Sequence, residues 1–177
     1  MMAITSRERA FRSVCGEFAT GITVVATALP NGGVHGMTAN AFLSLSLRPL
    51  LIGVSVQETS YSHTLLSTRD RVPFSVSVLN RHQHSLAQQF AGHGPRADYT
   101  VWQPSDTGIP VIRGSLAWLQ CHVDQRITTG DHIFIVGAVD DFGYAGDGSG
   151  PLLFYGGSYY HGIEEPGDSV DWSLLEQ

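Results

Sequence analysis

Most of the apolar residues of this chain fall in stretches with the pattern of β-strands. These stretches are rich in β-branched residues or alternate apolar with polar positions, and they cover residues 22–29, 34–47, 50–56, 74–79, 115–127, 132–144 and 152–155. Asn and Gly tolerate positive φ, so PNGG at 30–33 predicts a tight turn. The chain is therefore expected to be mainly β.

Helical spacing is confined to three short segments. Thr5 and Glu8 have the spacing of a capping box, and Phe11, Val14, Cys15 and Phe18 follow at helical intervals. Gly21 is the expected end of this first helix. Two shorter helices are predicted over residues 60–69 and 82–92.

Six or seven strands with three helices lack the regular strand–helix alternation of a doubly wound fold. The pattern predicts a β-barrel with helical decorations. The 177 residues are expected to form one domain over residues 1–163, followed by an acidic surface tail over residues 164–177.

The charge balance narrows the possible partners. The formal net charge is −6 with only 10 Lys and Arg residues, which argues against broad affinity for nucleic acid or anionic membranes. No stretch has the length of a transmembrane helix, and no signal peptide is evident, so a cytoplasmic location is expected. Cys15 and Cys121 are expected to be two buried thiols in a reducing compartment.

The stretch HGMTANAFLSLSLRP at 35–49 interleaves polar with apolar residues, among them Thr38, Asn40, Ser44 and Ser46. One face of such a strand could direct hydroxyl and amide groups into an apolar slot, as the edge of a flavin ring requires. The same alternation is also typical of a solvent-facing strand or a barrel lining, and the pattern alone leaves both interpretations open.

A second candidate lies where a strand leads into a helix. Ser60, Ser62 and Thr64 place three hydroxyls near a predicted helix N-terminus, whose free amides suit a phosphate. Ordinary N-capping explains one of the hydroxyls but not all three.

A third candidate is the turn Gly130-Asp131-His132 between two predicted strands. A histidine at a barrel rim can stack on a ligand or hydrogen-bond to it, although these residues could also simply close a hairpin. A metal site is not expected, because His82 and His84 are two residues apart and would point to different sides of a helix.

Seven motifs occur in an order that resembles one known family. They are FATGITVV (18–25), HGMTANAF (35–42), SLSLRP (44–49), FSVSVL (74–79), LAQQFAG (86–92), GDHIFIVGAV (130–139) and PLLFYGGSY (151–159). Together they resemble the flavin reductase-like, FMN-binding split-barrel family over about residues 10–162.

The resemblance implies a split β-barrel that forms a homodimer and binds flavin near the subunit interface. It implies hydride transfer from NADH or NADPH to FMN or FAD, with the reduced flavin supplied to a partner monooxygenase. The resemblance alone does not choose within either cofactor pair.

The resemblance also assigns residues by their motif positions. His132 would position the nicotinamide. The flavin ring and ribityl chain would be lined by Thr38, Ala39, Asn40 and Ala41, with Ser55, Val56 and Gln57 beside the ring. The flavin phosphate would face Ser62 and Thr64, assisted by Ser60, and the remaining flavin contacts would be Phe90, Ala91, Gly92 and Tyr159.

Some positions depart from the family pattern. Ala41 stands where many members have Ser, Ser77 where the strand usually has Asn, and Leu50 where a second Pro is common; Arg96 is the nearest basic residue after the FAG segment. The alternatives to a reductase are a non-catalytic FMN-binding electron-transfer or storage protein, a split-barrel oxidase of a pyridoxal-type phosphate, and an interaction module. The oxidase would need a strongly basic pocket, which so few Lys and Arg residues argue against.

Overall fold

The computed structural model describes residues 4–93, 101–105, 108–145 and 148–162. Within these residues the helices are α1 (Ser6–Gly16), α2 (Tyr61–Leu66) and α3 (His84–Phe90). The strands are β1 (Thr20–Gly21), β2 (Thr23–Ala28), β3 (Val34–Ala39), β4 (Phe42–Leu47), β5 (Leu50–Gln57), β6 (Pro73–Val78), β7 (Trp102–Gln103), β8 (Val111–Ile112), β9 (Ala117–Thr129), β10 (His132–Tyr144), β11 (Leu152–Tyr155) and β12 (Ser158–His161).

Seven of the strands form one antiparallel sheet in the order β3-β2-β6-β9-β10-β5-β4. Its two edge strands, β3 and β4, are consecutive in the chain and are joined only by Asn40 and Ala41. A flat sheet of this size would hold its edges about 29 Å apart, whereas two linking residues span only about 11 Å. The sheet must therefore curl into a barrel, as predicted.

Two smaller sheets complete the described structure. β11 and β12 form a hairpin through Gly156 and Gly157, both at positive φ, and β1 pairs with β11. β7 pairs with β8 as a separate ribbon. The three-stranded sheet connects to the barrel where the amide of Leu152 donates to the carbonyl of Leu79 at 3.1 Å.

The main core fills the barrel and is built from alternate residues of its strands. Phe74, Val76, Val54 and Ile135 are fully buried there. A second cluster lies beneath α3 and consists of Ile22, Val24, Leu79, Ala87, Ile112 and Leu152. Burial of both clusters is the principal source of stability for a fold of this kind.

The first helix differs from the prediction. Thr5 forms the expected capping box with Glu8, but α1 ends at Gly16 rather than Gly21. No residue of α1 is buried, and Phe11 is 68% exposed, because no other element of the described chain packs over its apolar side. The expectation of two buried thiols is wrong for Cys15, which is exposed on this helix, and confirmed for Cys121.

Other boundaries are close to those predicted. The turn at 30–33 is confirmed by the 2.8 Å hydrogen bond from the Leu29 amide to the Gly33 carbonyl. The extended segment 34–47 is two strands, because residues 40–41 form a crossing from one edge of the sheet to the other. Arg48-Pro49 is a cis peptide at the next reversal, and the short strands β1, β7, β8 and β12 were not predicted. The predicted acidic tail, 164–177, lies outside the described residues.

Among the helices described, none combines the length and apolar composition that crossing a bilayer would require.

Candidate functional site

The crossing between β3 and β4 places Asn40 and Ala41 beside the end of β5. The amide of Ser55 donates a 3.2 Å hydrogen bond to the carbonyl of Ala41. Asn40 and Ala41 are exposed, whereas Ala39 is buried and its carbonyl accepts a 2.8 Å hydrogen bond from the Thr23 hydroxyl. The crossing is therefore anchored on both sides and presents two residues to solvent.

The end of β5 presents a polar face next to this crossing. Ser55 and Gln57 point to the same side of the strand, because side chains alternate along it. Val56 is buried in the barrel core and pairs with Ile133 of β10, so its side chain is not available to a ligand. Gln57 pairs with His132 of β10, and Ser55 pairs with Phe134.

His132 begins β10 directly after the turn that joins it to β9. Its Nδ1 lies 2.8 Å from Oδ1 of Asp131. This hydrogen bond, reinforced by the charge interaction, lowers the pKa of the Asp131 carboxyl. A carboxylate at Nδ1 favours the proton on that nitrogen and leaves Nε2 facing outward as an acceptor.

The hydroxyls at the start of α2 have different partners. Ser60 is the N-cap: its hydroxyl accepts from the amide of His63 at 3.1 Å and donates to the carbonyl of Gln57 at 2.7 Å. Ser62 is only 4% exposed, and its hydroxyl lies 2.8 Å from Nε2 of His35. Thr64 is exposed. Capping therefore accounts for Ser60 alone.

The remaining flavin candidates depend on α3. The hydroxyl of Thr38 donates to the carbonyl of Ala87 at 2.6 Å, so it is committed to holding β3 against the helix. Phe90 lies over Gly36, where an added Cβ would be 2.9 Å from the ring. Ala91 caps the helix, and Gly92 follows with a φ of 85°.

Tyr159 lies on β12, away from the β5–β10 pair. Its ring centroid is 4.7 Å from that of His84 and 5.3 Å from that of Phe154. Partial burial raises the pKa of its hydroxyl. Tyr159 thus contacts α3 through His84, and the same helix carries Phe90 and is hydrogen-bonded to Thr38.

The polar groups available to a ligand are concentrated at the Asn40–His132 end. The side-chain amides of Asn40 and Gln57 and the hydroxyl of Thr64 make no hydrogen bond within the described part of the chain. Amides offer both donors and acceptors, which match the carbonyl and ring-nitrogen groups along the edge of an isoalloxazine. The residues present therefore fit a flavin.

This end of the barrel is open in a single chain. Two concavities of about 360 and 310 Å³ among the described residues lie elsewhere. One is at the β2–β3 hairpin, next to Trp102, and the other is between β2 and α2. A flavin at Asn40 would have one side uncovered by the described residues.

Sequence reasoning missed two residues near the candidate site. His35, which contacts Ser62, opens the HGMTANAF motif but was not selected, because its partner is 27 residues away in sequence. Phe134 lies inside the GDHIFIVGAV motif and leans over Gly53, where an added Cβ would be 2.2 Å from the ring. Only the folded structure reveals either contact. Arg96 lies outside the described residues.

Comparison with known proteins gives a consistent result. Residues 15–162 match the family model described as the flavin reductase like domain. The chain is 38% identical over 151 residues to the FMN reductase (NADH) SmoA of Agrobacterium fabrum, covering 85% of this chain and 84% of SmoA.

Two further proteins extend the comparison. The chain is 37% identical over 158 residues to HsaB of Mycobacterium tuberculosis, the reductase subunit of a flavin-dependent monooxygenase, covering 88% of this chain and 82% of HsaB. The solved structure of the NADH:FAD oxidoreductase SgcE6 of Streptomyces globisporus with NAD and FAD fragments superposes with a TM-score of 0.82 at 32% identity. That match covers 95% of this chain and 100% of SgcE6.

Proposed function

We propose that this chain, which belongs to the flavin reductase like family, is an enzyme that reduces flavin with hydride from a nicotinamide nucleotide. The overall reaction converts NAD(P)H, oxidised flavin and one proton into NAD(P)⁺ and reduced flavin. The fold is the split β-barrel of its structural neighbours.

One observation carries this function. The crossing at Asn40 and Ala41 joins the two edges of the sheet beside Ser55 and Gln57, and Gln57 is paired with His132. Residues of the HGMTANAF and GDHIFIVGAV motifs therefore converge with the end of β5 at one end of the barrel. Their free polar groups support a flavin edge there and a nicotinamide at the His132 side.

The two cofactors supply the redox chemistry, and the protein holds them in reacting geometry. The exposed residues Asn40, Ala41 and Gln57 would hold the ring edge. His132, oriented by Asp131, would hold the nicotinamide against it. No side chain of this set needs to exchange a proton with the reacting atoms.

The cofactor pair is proposed from the relatives. SmoA is named for FMN and NADH, and SgcE6 for FAD and NADH. We therefore expect NADH to be preferred over NADPH and both flavins to be accepted.

The test is the oxidation of NADH and of NADPH by the purified protein, with and without added FMN or FAD. Oxidation that saturates with added flavin would support the reductase and rank all four substrates. A yellow protein that retains flavin but does not oxidise either nucleotide would instead indicate the non-catalytic flavoprotein. A protein that neither binds nor reduces flavin would overturn the site.

A homodimer would complete the open site. The outward side chains of β4, an edge strand, are leucines rather than polar residues: Leu43 is 54% exposed, Leu45 43% and Leu47 78%. Contiguous apolar surface of this kind marks an interaction site. Because β4 begins at the flavin crossing, a second subunit seated on it would also lie over the flavin.

Sedimentation velocity would measure the assembly directly. We expect twice the mass of one chain, and the Leu47→Glu variant is expected to dissociate and to lose flavin affinity. A monomer with undiminished activity at the assay concentration would refute the dimer.

The reduced flavin would be the substrate of a separate monooxygenase in the cytoplasm, where nicotinamide nucleotides are available. HsaB, which is a reductase subunit of such a system, supports this partner. The expected result is product formation when the protein, NADH and flavin are added to a flavin-dependent monooxygenase deprived of its own reductase.

A further inference from the structure

A buried hydrogen bond connects β3 with α2 beside the predicted phosphate position. Nε2 of His35 lies 2.8 Å from Oγ of Ser62, across 27 residues of sequence. Ser62 is almost fully buried, His35 is half-buried, and the Tyr61 ring lies edge-on to the imidazole at 5.2 Å. The imidazole is therefore held in one place against the serine.

We propose that His35 is a positioning residue for the flavin phosphate, acting through Ser62. Its Nε2–H donates to the Ser62 oxygen, and the single O–H proton of Ser62 is thereby left to donate to the phosphate. This inference rests on the proposed function and on the resemblance to the flavin reductases, which implies that the flavin phosphate faces Ser62 and Thr64.

The argument depends on the hydrogen-bonding capacity of a serine. A hydroxyl has one donor and can accept two hydrogen bonds. If Nε2 were the acceptor, it would take the only proton of Ser62, and the serine would then present lone pairs to an anion. If Nε2 donates, Ser62 keeps its proton for the anion. The protonation pattern of His35 thus decides whether Ser62 attracts or repels a phosphate.

A phosphate at Ser62 would favour the donating arrangement. Burial lowers the pKa of His35, so its imidazole is neutral at pH 7 and carries one proton. A bound phosphate dianion favours the tautomer in which Nε2 carries the proton, because His35 then donates to Ser62 and Ser62 donates to the phosphate.

Helix capping does not explain this contact. Ser60 already caps α2, with its hydroxyl bonded to the amide of His63. Ser62 lies inside the helix, where its hydroxyl turns to β3 instead. Thr64, two residues on, keeps its hydroxyl free among the described residues and would provide the second donor.

The experiment compares two ligands that differ only by the phosphate: FMN and riboflavin. Dissociation constants for both are measured at pH 7 with the wild type, His35→Leu, His35→Gln, His35→Asn, Ser62→Ala and the double variant His35→Leu/Ser62→Ala. His82→Gln, a change at an exposed histidine away from α2, is the matched control.

We expect the wild type to prefer FMN to riboflavin, and His35→Leu to reduce that preference about tenfold with riboflavin affinity unchanged. The double variant should bind FMN no more weakly than Ser62→Ala alone, because both changes remove the same interaction. The control should bind both ligands as the wild type does.

The two amide variants keep the proposal testable if His35→Leu does not fold. Gln can place a donor where Nε2 lies, whereas Asn is too short, so His35→Gln should keep the preference for FMN and His35→Asn should lose it. Equal weakening of both ligands, or additive effects in the double variant, would overturn the proposal.

A failure of the underlying function gives a different result. If the wild type oxidises NADH with FMN and riboflavin alike and binds both equally, the phosphate position and the role of His35 are both refuted while the reductase stands. If it oxidises neither NADH nor NADPH with FMN, FAD or riboflavin, the proposed function itself fails.

Discussion

The hydroxyl of Thr38 donates a 2.6 Å hydrogen bond to the main-chain carbonyl of Ala87, in the middle of α3. Thr38 belongs to the motif that was expected to line the flavin, yet its side chain is committed to the helix. Its part in the site is therefore to fix the position of the following residues, Ala39 and Asn40.

Replacing Thr38 with Val should lower the free energy of unfolding by about 1 kcal/mol, because the hydrogen bond to Ala87 is lost while the shape is kept. Urea unfolding measures this change. Thr38→Ser retains the hydroxyl and is the control. A loss of FMN affinity in Thr38→Val without any loss of stability would instead indicate direct contact with the flavin.

His132 should matter for hydride transfer and not for flavin binding. We expect His132→Ala to slow the transient reduction of bound flavin by about tenfold or more, since positioning is lost, and to leave the FMN dissociation constant unchanged. Asp131→Asn should give a smaller effect of the same kind, because the amide still bonds to the imidazole. Unaltered reduction rates in His132→Ala would remove His132 from the site.

Two glycines of the barrel lie under aromatic rings and should respond differently to Ala. A Cβ at Gly137 would be 2.5 Å from Cζ of Phe74, which is fully buried and cannot move aside. Gly137→Ala should therefore destabilise the protein by about 1–3 kcal/mol in urea unfolding.

Gly53 is the matched case. A Cβ there would be 2.2 Å from Cζ of Phe134, but this ring is only half-buried and can swing outward. Gly53→Ala should therefore cost less stability than Gly137→Ala. The reverse order would mean that Phe134 is held more firmly than its exposure in one chain implies.

The two cysteines should differ in reactivity. Burial, with a contribution from Asp140, raises the pKa of the Cys121 thiol to about 12, so almost no thiolate forms at neutral pH. Cys15 is exposed. A chromogenic disulfide reagent should label one thiol quickly, and Cys15→Ser should abolish that phase. Slow labelling of Cys15 in the wild type would indicate that another surface covers α1.

His35 should make stability depend on pH. Burial places its pKa in the folded protein below the ordinary value of about 6.5, so the unfolded chain binds more protons as the solution is acidified. This contribution is fully present above pH 6.5 and is lost as the pH falls towards the pKa of the folded state. Urea unfolding at pH 7.5 and 5.5 should show a larger loss for the wild type than for His35→Gln. An equal loss in both would exclude His35 as the cause.

The sequence alone was sufficient to predict most of the architecture. Strands 50–56 and 132–144 were visible because buried strands of a barrel carry unbroken or alternating apolar residues, and the capping box of α1 follows from Thr5 and Glu8. These signals are local, so they do not depend on the rest of the chain. The short strands β1 and β12 have no such signal, since they exist only through pairing with β11.

The candidate site was predictable only as a set of separate motifs. The partners that commit Thr38 to α3 and Ser62 to His35 are 49 and 27 residues away, and no pattern in the sequence specifies them. The extended stretch 34–47 gave no indication of the crossing at Asn40, because both strands that meet there have the same alternation. Only the folded structure reveals these partners and this crossing.

Asn40 and Ala41 both close the barrel and belong to the candidate flavin site, so closure of the barrel and formation of the site depend on the same two residues. Because the strands can pair only when these two residues close the barrel, an unfolded chain has no flavin site at all, rather than a weak one. Flavin would therefore bind only the folded barrel, and a saturating flavin concentration would stabilise it by mass action.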